Sequence, residues 1–270
     1  MIYRFARYWV QSFLFVLVGF ILVGSAHASV ESIKKSGTLR VGLDPGFIPF
    51  EMKTSKGDLI GFDIDMITAF AKELGTTPKF IDTKWDGIIP ALVTNKFDLI
   101  VSGMTVTPER SKAVLFSDVY YNAGLMAMIS SQHTGKFKTL SELDNPSVTL
   151  VVKTGTTGDF YVKENFKKAK IQKLDSESDC ANSVALGKAT AFIYDKPYVQ
   201  VFERQSKGKV WILDSLATVE GFGVAAKKSD KDLISAFNTF LAGWKKSGAY
   251  ETAIKKHFVD LEWATQIPAN

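Results

Sequence analysis

The fold is decided by FDLIVSGMTVTPER, the stretch from Phe97 to Arg110. Its first five residues form an apolar run with the length of a buried strand, and small polar residues follow at once. Gly103 allows a ligand to approach the backbone, and Pro108 suits the first turn of a helix. Ligands of open α/β sheets bind at the carboxyl ends of the strands. The stretch therefore predicts a strand, a binding loop and a helix, in that order.

Strand and helix patterns alternate on both sides of this stretch. Apolar residues recur at helical spacing in Gly61–Gly75, which ends in a glycine and predicts a helix. A strand pattern, PKFIDTKW, and a helix pattern, GIIPALVTNKF, lead from there to the opening stretch. The alternation repeats in VTLVVKTGTTGDFYVKENF, KIQKLD, SDCANSVALGKA and TAFIYDKP, and a last strand pattern, GFGVAAKK, precedes two amphipathic helices. This order predicts an α/β protein of two lobes with parallel sheets.

Composition excludes several classes of protein. The chain has 270 residues, 46% hydrophobic and 23% charged, which is the balance of a folded globular protein. Its net charge of +5 is spread evenly, without the basic and aromatic cluster of a nucleic-acid surface, so we expect no nucleic-acid partner. Cys180 is the single cysteine, and His133 and His257 lack the spacing of metal ligands. We therefore expect no disulfide, no metal and no cofactor.

The first 28 residues have the three-part plan of a secretory signal peptide. Arg4 and Arg7 give a positive start, Ser12–Gly24 is an apolar centre, and Ala26-His27-Ala28 offers small residues at the positions that a signal peptidase reads. The apolar run is shorter than the ~20 residues of a spanning helix, so an uncleaved anchor is the less favoured alternative. Removing the two arginines by cleavage after residue 28 lowers the net charge from +5 to +3. We therefore expect an exported protein.

Two loops in the first half carry aromatic residues that no periodicity demands. Phe47 lies with Asp44 in the loop DPGFIPFE, and Trp85 is the last residue of PKFIDTKW, in Trp85-Asp86-Gly87 between that strand pattern and the next helix pattern. Phe47 and Trp85 can wall a pocket, or they can fill local core, as we expect of Phe50. Asp44 can accept a hydrogen bond from a ligand, or it can cap its loop. The residue types leave these alternatives open.

The arginine of the opening stretch suits an anion. Its planar fork matches a carboxylate through two parallel hydrogen bonds, and Thr105 adds a hydroxyl and an N–H group nearby. An ordinary surface ion pair of Arg110 with Glu109 or Asp118 explains the same residue equally well. Spacing alone does not separate an anion clamp from a surface pair.

Two loops in the second half add polar groups of both signs. Thr156 and Thr157 lie in the glycine-rich turn KTGTTG, where backbone N–H groups at a helix start favour an anion. No GK[ST] follows, so a carboxylate fits better than a phosphate. Asp195 ends the apolar run AFIY, where a buried acid requires a cation. That cation is a ligand's ammonium group, or it is the chain's own Lys153 or Lys196.

From about Gly37 to Phe258 the chain resembles the periplasmic polar amino-acid-binding proteins of bacterial ABC importers, solute-binding protein family 3. The motifs are GFDIDMITAFAKELG, GIIPALVTNKFDLIVSGMTVTPERSKAVLFSDVYY, VVKTGT, FIYDKP and EGFG. The resemblance implies the type II periplasmic binding protein fold, with one lobe of residues 29–122 and 220–270, a second of residues 123–219, and a hinge between them. It also implies a monomer that delivers a polar L-amino acid to a membrane-embedded ABC permease.

The resemblance assigns a role to each candidate residue. The ligand's carboxylate would be held by Arg110, Thr105 and the backbone N–H groups of Thr156 and Thr157. Its ammonium group would be held by Asp195 and the Gly103 carbonyl.

The side chain of the ligand would lie between Phe47 and Trp85. Asp44 and Lys153 fall where glutamine-binding members hold the side-chain amide, so glutamine is the first choice of ligand. Two departures bear on this choice: Tyr194 replaces a histidine that is common in those members, and Trp85 stands where Phe or Tyr is commoner.

An enzyme is the alternative to a receptor. Some relatives of this fold are dehydratases of arogenate and prephenate, and that chemistry requires a general acid near the leaving group. Arg110 and Asp195 together suit the holding of a zwitterion rather than its turnover. We therefore expect a receptor without catalytic residues.

Overall fold

The computed structural model describes residues 29–267, and the predicted signal peptide lies outside this range. The strands are β1 (Thr38–Leu43), β2 (Met52–Lys53), β3 (Leu59–Ile60), β4 (Thr77–Asp82), β5 (Leu99–Ile100), β6 (Val114–Phe116), β7 (Tyr121–Ala123), β8 (Leu125–Ser130), β9 (Thr149–Lys153), β10 (Lys170–Leu174), β11 (Ala191–Asp195), β12 (Val210–Ile212), β13 (Glu220–Phe222) and β14 (Ala225–Lys227).

The helices include the predicted Gly61–Gly75 segment, which is confirmed as α2. They are α1 (Val30–Ser36), α2 (Phe62–Glu73), α3 (Ile88–Val93), α4 (Pro108–Ala113), α5 (Thr157–Asn165), α6 (Glu177–Ala185), α7 (Lys196–Gln205), α8 (Lys231–Lys246) and α9 (Ala249–Ile254). Short 3₁₀ helices cover Trp85–Gly87, Ser131–His133, Leu140–Leu143 and Glu262–Thr265, and a π-helical turn covers Lys255–Asp260. Within residues 29–267 no helix has both the length and the apolar character needed to cross a membrane.

Two five-stranded sheets form the cores of the two lobes. The first has the order β4-β1-β5-β14-β6 and the second the order β10-β9-β11-β8-β12. In the first, β1 is parallel to β4 and β5, whereas β14 is antiparallel to β5 and β6. In the second, β9 is parallel to β10 and β11, whereas β8 is antiparallel to β11 and β12.

The prediction of parallel sheets is therefore confirmed for most of the strands but wrong for β14 and β8, which run antiparallel to their neighbours. GFGVAAKK was expected to form one strand, but it divides into β13 and β14. β13 returns from the second lobe to the end of the first sheet where β5 finishes, since its Phe222 makes a bridge with Thr105, and β14 follows after only two residues. β14 thus begins at the end of the sheet where β5 ends. It therefore enters the first sheet antiparallel to its neighbours.

A ribbon of two strands carries the chain between the lobes. β7 leads from the first sheet toward the second and pairs antiparallel with β13, which leads back. Phe222 at the end of β13 also makes a bridge with Thr105, so the ribbon adjoins the opening loop. The lobe boundaries predicted near residues 122 and 220 both fall in this ribbon.

A buried aromatic cluster anchors the loop DPGFIPFE. The Phe50 ring is fully buried, as expected of a core residue, and contacts the rings of Phe62, Phe222 and Phe258 at centroid distances of 5.2 to 6.0 Å. Aromatic pairs at such distances contribute beyond their buried area. The cluster therefore fixes an irregular, proline-rich loop in one position against the first lobe.

Candidate functional site

The carboxyl ends of the central strands meet at a small cavity between the two lobes. Its volume is about 20 Å³, the room of about one water molecule, so the lobes are closely apposed. It is lined by all ten predicted residues, together with Ser102 and Tyr194: Asp44, Phe47, Trp85, Gly103, Thr105, Arg110, Lys153, Thr156, Thr157 and Asp195.

Arg110 is buried at this cavity. It lies in α4, and its Nη1 donates to the Thr105 carbonyl at 2.9 Å while Nη2 donates to the Gly155 carbonyl at 3.4 Å. Burial lowers the pKa of Arg110, and the charges of Asp195 and Glu220 act against that shift. The alternative of a surface ion pair is wrong, because the side chain is buried and Glu109 pairs instead with Lys112.

Asp195 brings an unsatisfied carboxylate to the same cavity. It ends β11 and is 6% exposed, and its Oδ1 has no hydrogen-bond partner among the described residues. Burial, reinforced by the charge of Glu220, raises the pKa of Asp195 to about 8, although Arg110 lowers it. A buried carboxylate oxygen without a partner is costly, and a cation in the cavity would remove that cost.

Lys153 does not neutralise Asp195 through an ion pair. Its Nζ lies 2.6 Å from Oδ2 of Asp44 and 2.5 Å from Oε2 of Glu177. Burial alone would lower the pKa of Lys153, but the charges of Glu177 and Asp44 outweigh it and raise that pKa. One lysine between two carboxylates leaves this end of the cavity with a net negative charge.

The aromatic candidates line the cavity and also belong to the surrounding structure. The centroid of the Trp85 ring lies 5.2 Å from Cζ of Arg110 and 5.8 Å from Nζ of Lys153, so the ring contacts two cations. Its Nε1 donates to the Gly155 carbonyl of the opposite lobe at 3.1 Å. Such cation–π contacts suit a desolvated site. Trp85 thus joins the two lobes through its ring N–H group, a donor that the rings of Phe and Tyr lack.

Both the backbone conformation at position 103 and the contact with Phe47 require a glycine. Its φ of +53° is in the left-handed region, and a Cβ there would lie 2.2 Å from the Phe47 ring. Phe47 itself stacks on Phe50 with a centroid distance of 5.0 Å and on Tyr198 of the second lobe at 6.2 Å. A side chain at position 103 would therefore displace this aromatic wall.

The threonine hydroxyls have partners within the protein. Thr156 Oγ1 donates to the Lys153 carbonyl at 2.8 Å and caps α5. Thr105 and Thr157 donate to the same oxygen, Oε2 of Glu220, at 2.8 and 3.0 Å. The predicted roles gave Thr157 only its backbone N–H group and did not include Glu220, whose carboxylate engages both hydroxyls.

Two buried acids, Glu51 and Asp63, hold the loop after β5 by hydrogen bonds. Oε1 of Glu51 accepts a hydrogen bond from Ser102 Oγ at 2.5 Å, and Ser102 Oγ accepts the Asp44 N–H at 3.1 Å. Oδ2 of Asp63 accepts the Gly103 N–H at 3.1 Å. The remaining oxygens of the two acids have no other partner among the described residues. A proton on one acid lets it donate to the other.

Both members of the pair hold their protons tightly. Burial raises the pKa of Glu51 well above its usual range, and the charge of Asp63 raises it further. Burial also raises the pKa of Asp63 to about 7, against the hydrogen bonds from Tyr120 and Gly103. Two adjacent carboxylates without a bound cation cannot both ionise cheaply. The pair therefore fixes Asp44, through Ser102, and Gly103 without carrying two full charges.

A family model described as bacterial extracellular solute-binding proteins, family 3, matches residues 39–260. The chain belongs to this family. The predicted family and the predicted two-lobe α/β fold are thereby confirmed. The chain is assigned as a binding protein rather than an enzyme.

Curated relatives of this solute-binding protein carry the names of amino-acid-binding proteins. The L-cystine-binding protein TcyJ of Escherichia coli (strain K12) is 26% identical over 229 residues, which are 85% of this chain and 85% of that protein. The L-arginine-binding protein of Pseudomonas aeruginosa is 28% identical over 254 residues, which span 88% of this chain and 95% of that protein.

Solved structures reach higher identity. A Wolinella succinogenes protein complexed with lysine is 41% identical, with a TM-score of 0.82, over 85% of this chain and 99% of that one. The ancestral amino acid-binding protein AncCDT-1, described as a precursor of cyclohexadienyl dehydratase, is 40% identical, with a TM-score of 0.80, over 85% of this chain and 98% of that one.

Protonation of the buried acid pair should make the free energy of unfolding depend on pH. A carboxyl group whose pKa is raised in the folded state binds its proton more tightly there than in the unfolded chain, so the free energy of unfolding falls as the pH rises. For Asp63 this fall occurs between about pH 4, its ordinary range, and about 7. We expect Asp63→Asn to reduce the slope by up to about 1.4 kcal/mol per pH unit.

The measurement is urea unfolding from pH 4.5 to 7.5. Asp58→Asn, in the exposed turn between β2 and β3, is the matched control and should retain the wild-type slope. An unchanged slope in Asp63→Asn would show that Asp63 does not bind its proton more tightly in the folded protein than in the unfolded chain.

Proposed function

We propose that this protein is a periplasmic receptor that binds one polar L-amino acid between its lobes and delivers it to the permease of an ABC importer. The family match, the names of the relatives and the signal-like residues 1–28 support this proposal. The receptor acts as a monomer, and the ten candidate residues are its ligand-binding set.

The observation that carries the proposal is the pairing of Arg110 with Asp195 at one cavity. Two of the five N–H groups of Arg110 donate to protein carbonyls, so the fork retains donors for a carboxylate. Oδ1 of Asp195 lacks a partner among the described residues and suits an ammonium group. A free α-amino acid carries both groups on one carbon atom, so it satisfies the two charged residues together.

The opposite end of the cavity selects the side chain. Lys153 can donate to an amide oxygen, and Asp44 or Glu177 can accept from an amide NH₂ group. Glutamine meets both requirements and remains our first choice. Glutamate is disfavoured, because the two carboxylates outnumber the single lysine. Arginine and lysine are the second choice, since the end is net negative and two relatives are described with these ligands.

Ligand entry requires the lobes to separate. A cavity of about 20 Å³ is far too small for an amino acid, and Trp85, Arg110 and Phe47 all contact the opposite lobe. The two-stranded ribbon of β7 and β13 is the connection about which the lobes can open and close. Closure around the ligand would then exclude water from both charged ends.

A thermal-shift screen of the twenty L-amino acids tests the proposal. A ligand that binds only the folded protein raises its melting temperature, and we expect the largest rise with glutamine. In Asp195→Asn the rise with the amino acid should be lost, whereas the deaminated analogue should behave alike in both proteins. Asp214→Asn, at an exposed site, is the control for the loss of one charge. If no amino acid raised the melting temperature, the proposed function would be wrong.

The charge of Lys153 should set the choice between neutral and basic ligands. Lys153→Met leaves Asp44 and Glu177 without their cation, so a ligand's guanidinium or ammonium group can take its place. We expect the affinity for arginine or lysine, divided by that for glutamine, to rise at least about tenfold, the lower end for a close buried charge pair.

Isothermal titration calorimetry of both proteins measures this ratio. Lys188→Met, which removes an exposed lysine from the same lobe, should leave it unchanged. A ratio that stays constant in Lys153→Met would show that these three charges do not contact the ligand's side chain.

A further inference from the structure

Glu220 occupies a position that neither lobe provides alone. It is the first residue of β13, the return strand of the crossing ribbon, where it pairs with Ala123 of β7. Its side chain extends to the cavity region between the lobes, as its contacts with Thr105 and Thr157 show. Glu220 therefore combines a place in the connection between the lobes with a place beside the candidate site.

One oxygen atom of Glu220 joins the two lobes. Oε2 accepts a hydrogen bond from Thr105, in the loop after β5, and another from Thr157, at the start of α5. Its other oxygen, Oε1, accepts from Thr218 at 2.8 Å. Hydrogen bonds to an ionised acceptor are stronger than those between neutral groups. The carboxylate thus holds one hydroxyl of each lobe at a fixed separation.

Glu220 also acts on the charges expected to hold a ligand. Its negative charge raises the pKa of Arg110 and that of Asp195. The three groups therefore share one electrostatic environment, and the position of Glu220 bears on how both ligand-binding residues are held.

We propose that Glu220 is a positioning residue whose carboxylate stabilises the closed arrangement of the lobes and thereby raises ligand affinity. The two hydroxyls that meet on Oε2 separate when the lobes move apart, so both bonds are complete only in the closed arrangement. A ligand that requires closure gains apparent affinity in proportion to the closed population. Only this effect on affinity rests on the proposed function, whereas the effect on closure does not.

Spin labels on the two lobes test the inference without any ligand. Glu73→Cys on the first lobe and Lys168→Cys on the second place the labels at exposed positions, and Cys180 is buried. Double electron–electron resonance then reports the distribution of distances between the lobes. In Glu220→Ala we expect the ratio of short to long distances to fall about tenfold, the size expected for lost hydrogen bonds to a charged group.

Two further variants separate positioning from general disruption. Glu220→Gln keeps an acceptor oxygen without the charge and should lie between the wild type and Glu220→Ala. Thr157→Val removes one partner, so its effect and that of Glu220→Ala should be non-additive in the double variant. Glu251→Gln, at an exposed site on α9, is the control for charge and should match the wild type.

The affinity for L-glutamine, or for the amino acid with the largest shift in the thermal screen, should fall in Glu220→Ala by the same factor as the closed population. An unchanged distance distribution, or additive effects of the two substitutions, would overturn the inference. So would tighter binding by Glu220→Ala, which would identify Glu220 as a competitor of the ligand's carboxylate. If no amino acid binds the wild type, the proposed function fails and the distances still decide the role of Glu220.

Discussion

The cleft between the lobes buries more negative charge than positive charge, and the rest of the site depends on how that charge is compensated. Arg110 and Lys153 are its cations, whereas Asp44, Glu177, Asp195 and Glu220 are carboxylates in or beside it. Lys153 is shared by two acids and Glu220 is solvated by three hydroxyls. Asp195 alone among these four retains a buried oxygen without a partner in the described structure. The arrangement therefore favours a ligand that carries an ammonium group.

Compensation at the site extends into the first lobe. Burial raises the pKa of both Glu51 and Asp63, which opposes the addition of two further charges, and the two acids hold Ser102 and Gly103 by hydrogen bonds. The Phe47 ring packs against the other side of the same loop and leaves no room for a Cβ at position 103. Buried acids and an aromatic wall thus fix the backbone of the opening stretch from two sides.

Much of the site was predictable because it follows a topological rule. Side chains after the buried strands converge at the carboxyl edge of each sheet, so all ten candidate residues meet at one cavity. Glu177 was not predictable, because an acidic residue in the first turn of a helix is common for reasons of the helix dipole alone. Glu220 lies 115 residues from Thr105, and only the crossing ribbon brings them together. The antiparallel strands were missed for a related reason, since strand patterns carry no direction.

The ribbon of β7 and β13 has a mechanical consequence for recognition. Two hydrogen-bonded strands are stiff against stretching and shear within their plane, but they can bend and twist. In the proposed opening and closing, this ribbon would limit the relative motion of the lobes to bending and twisting, so the same loops would meet in the same register on each closure. One binding surface can then include residues more than 100 positions apart in the sequence, because the ribbon aligns the two lobes that carry them.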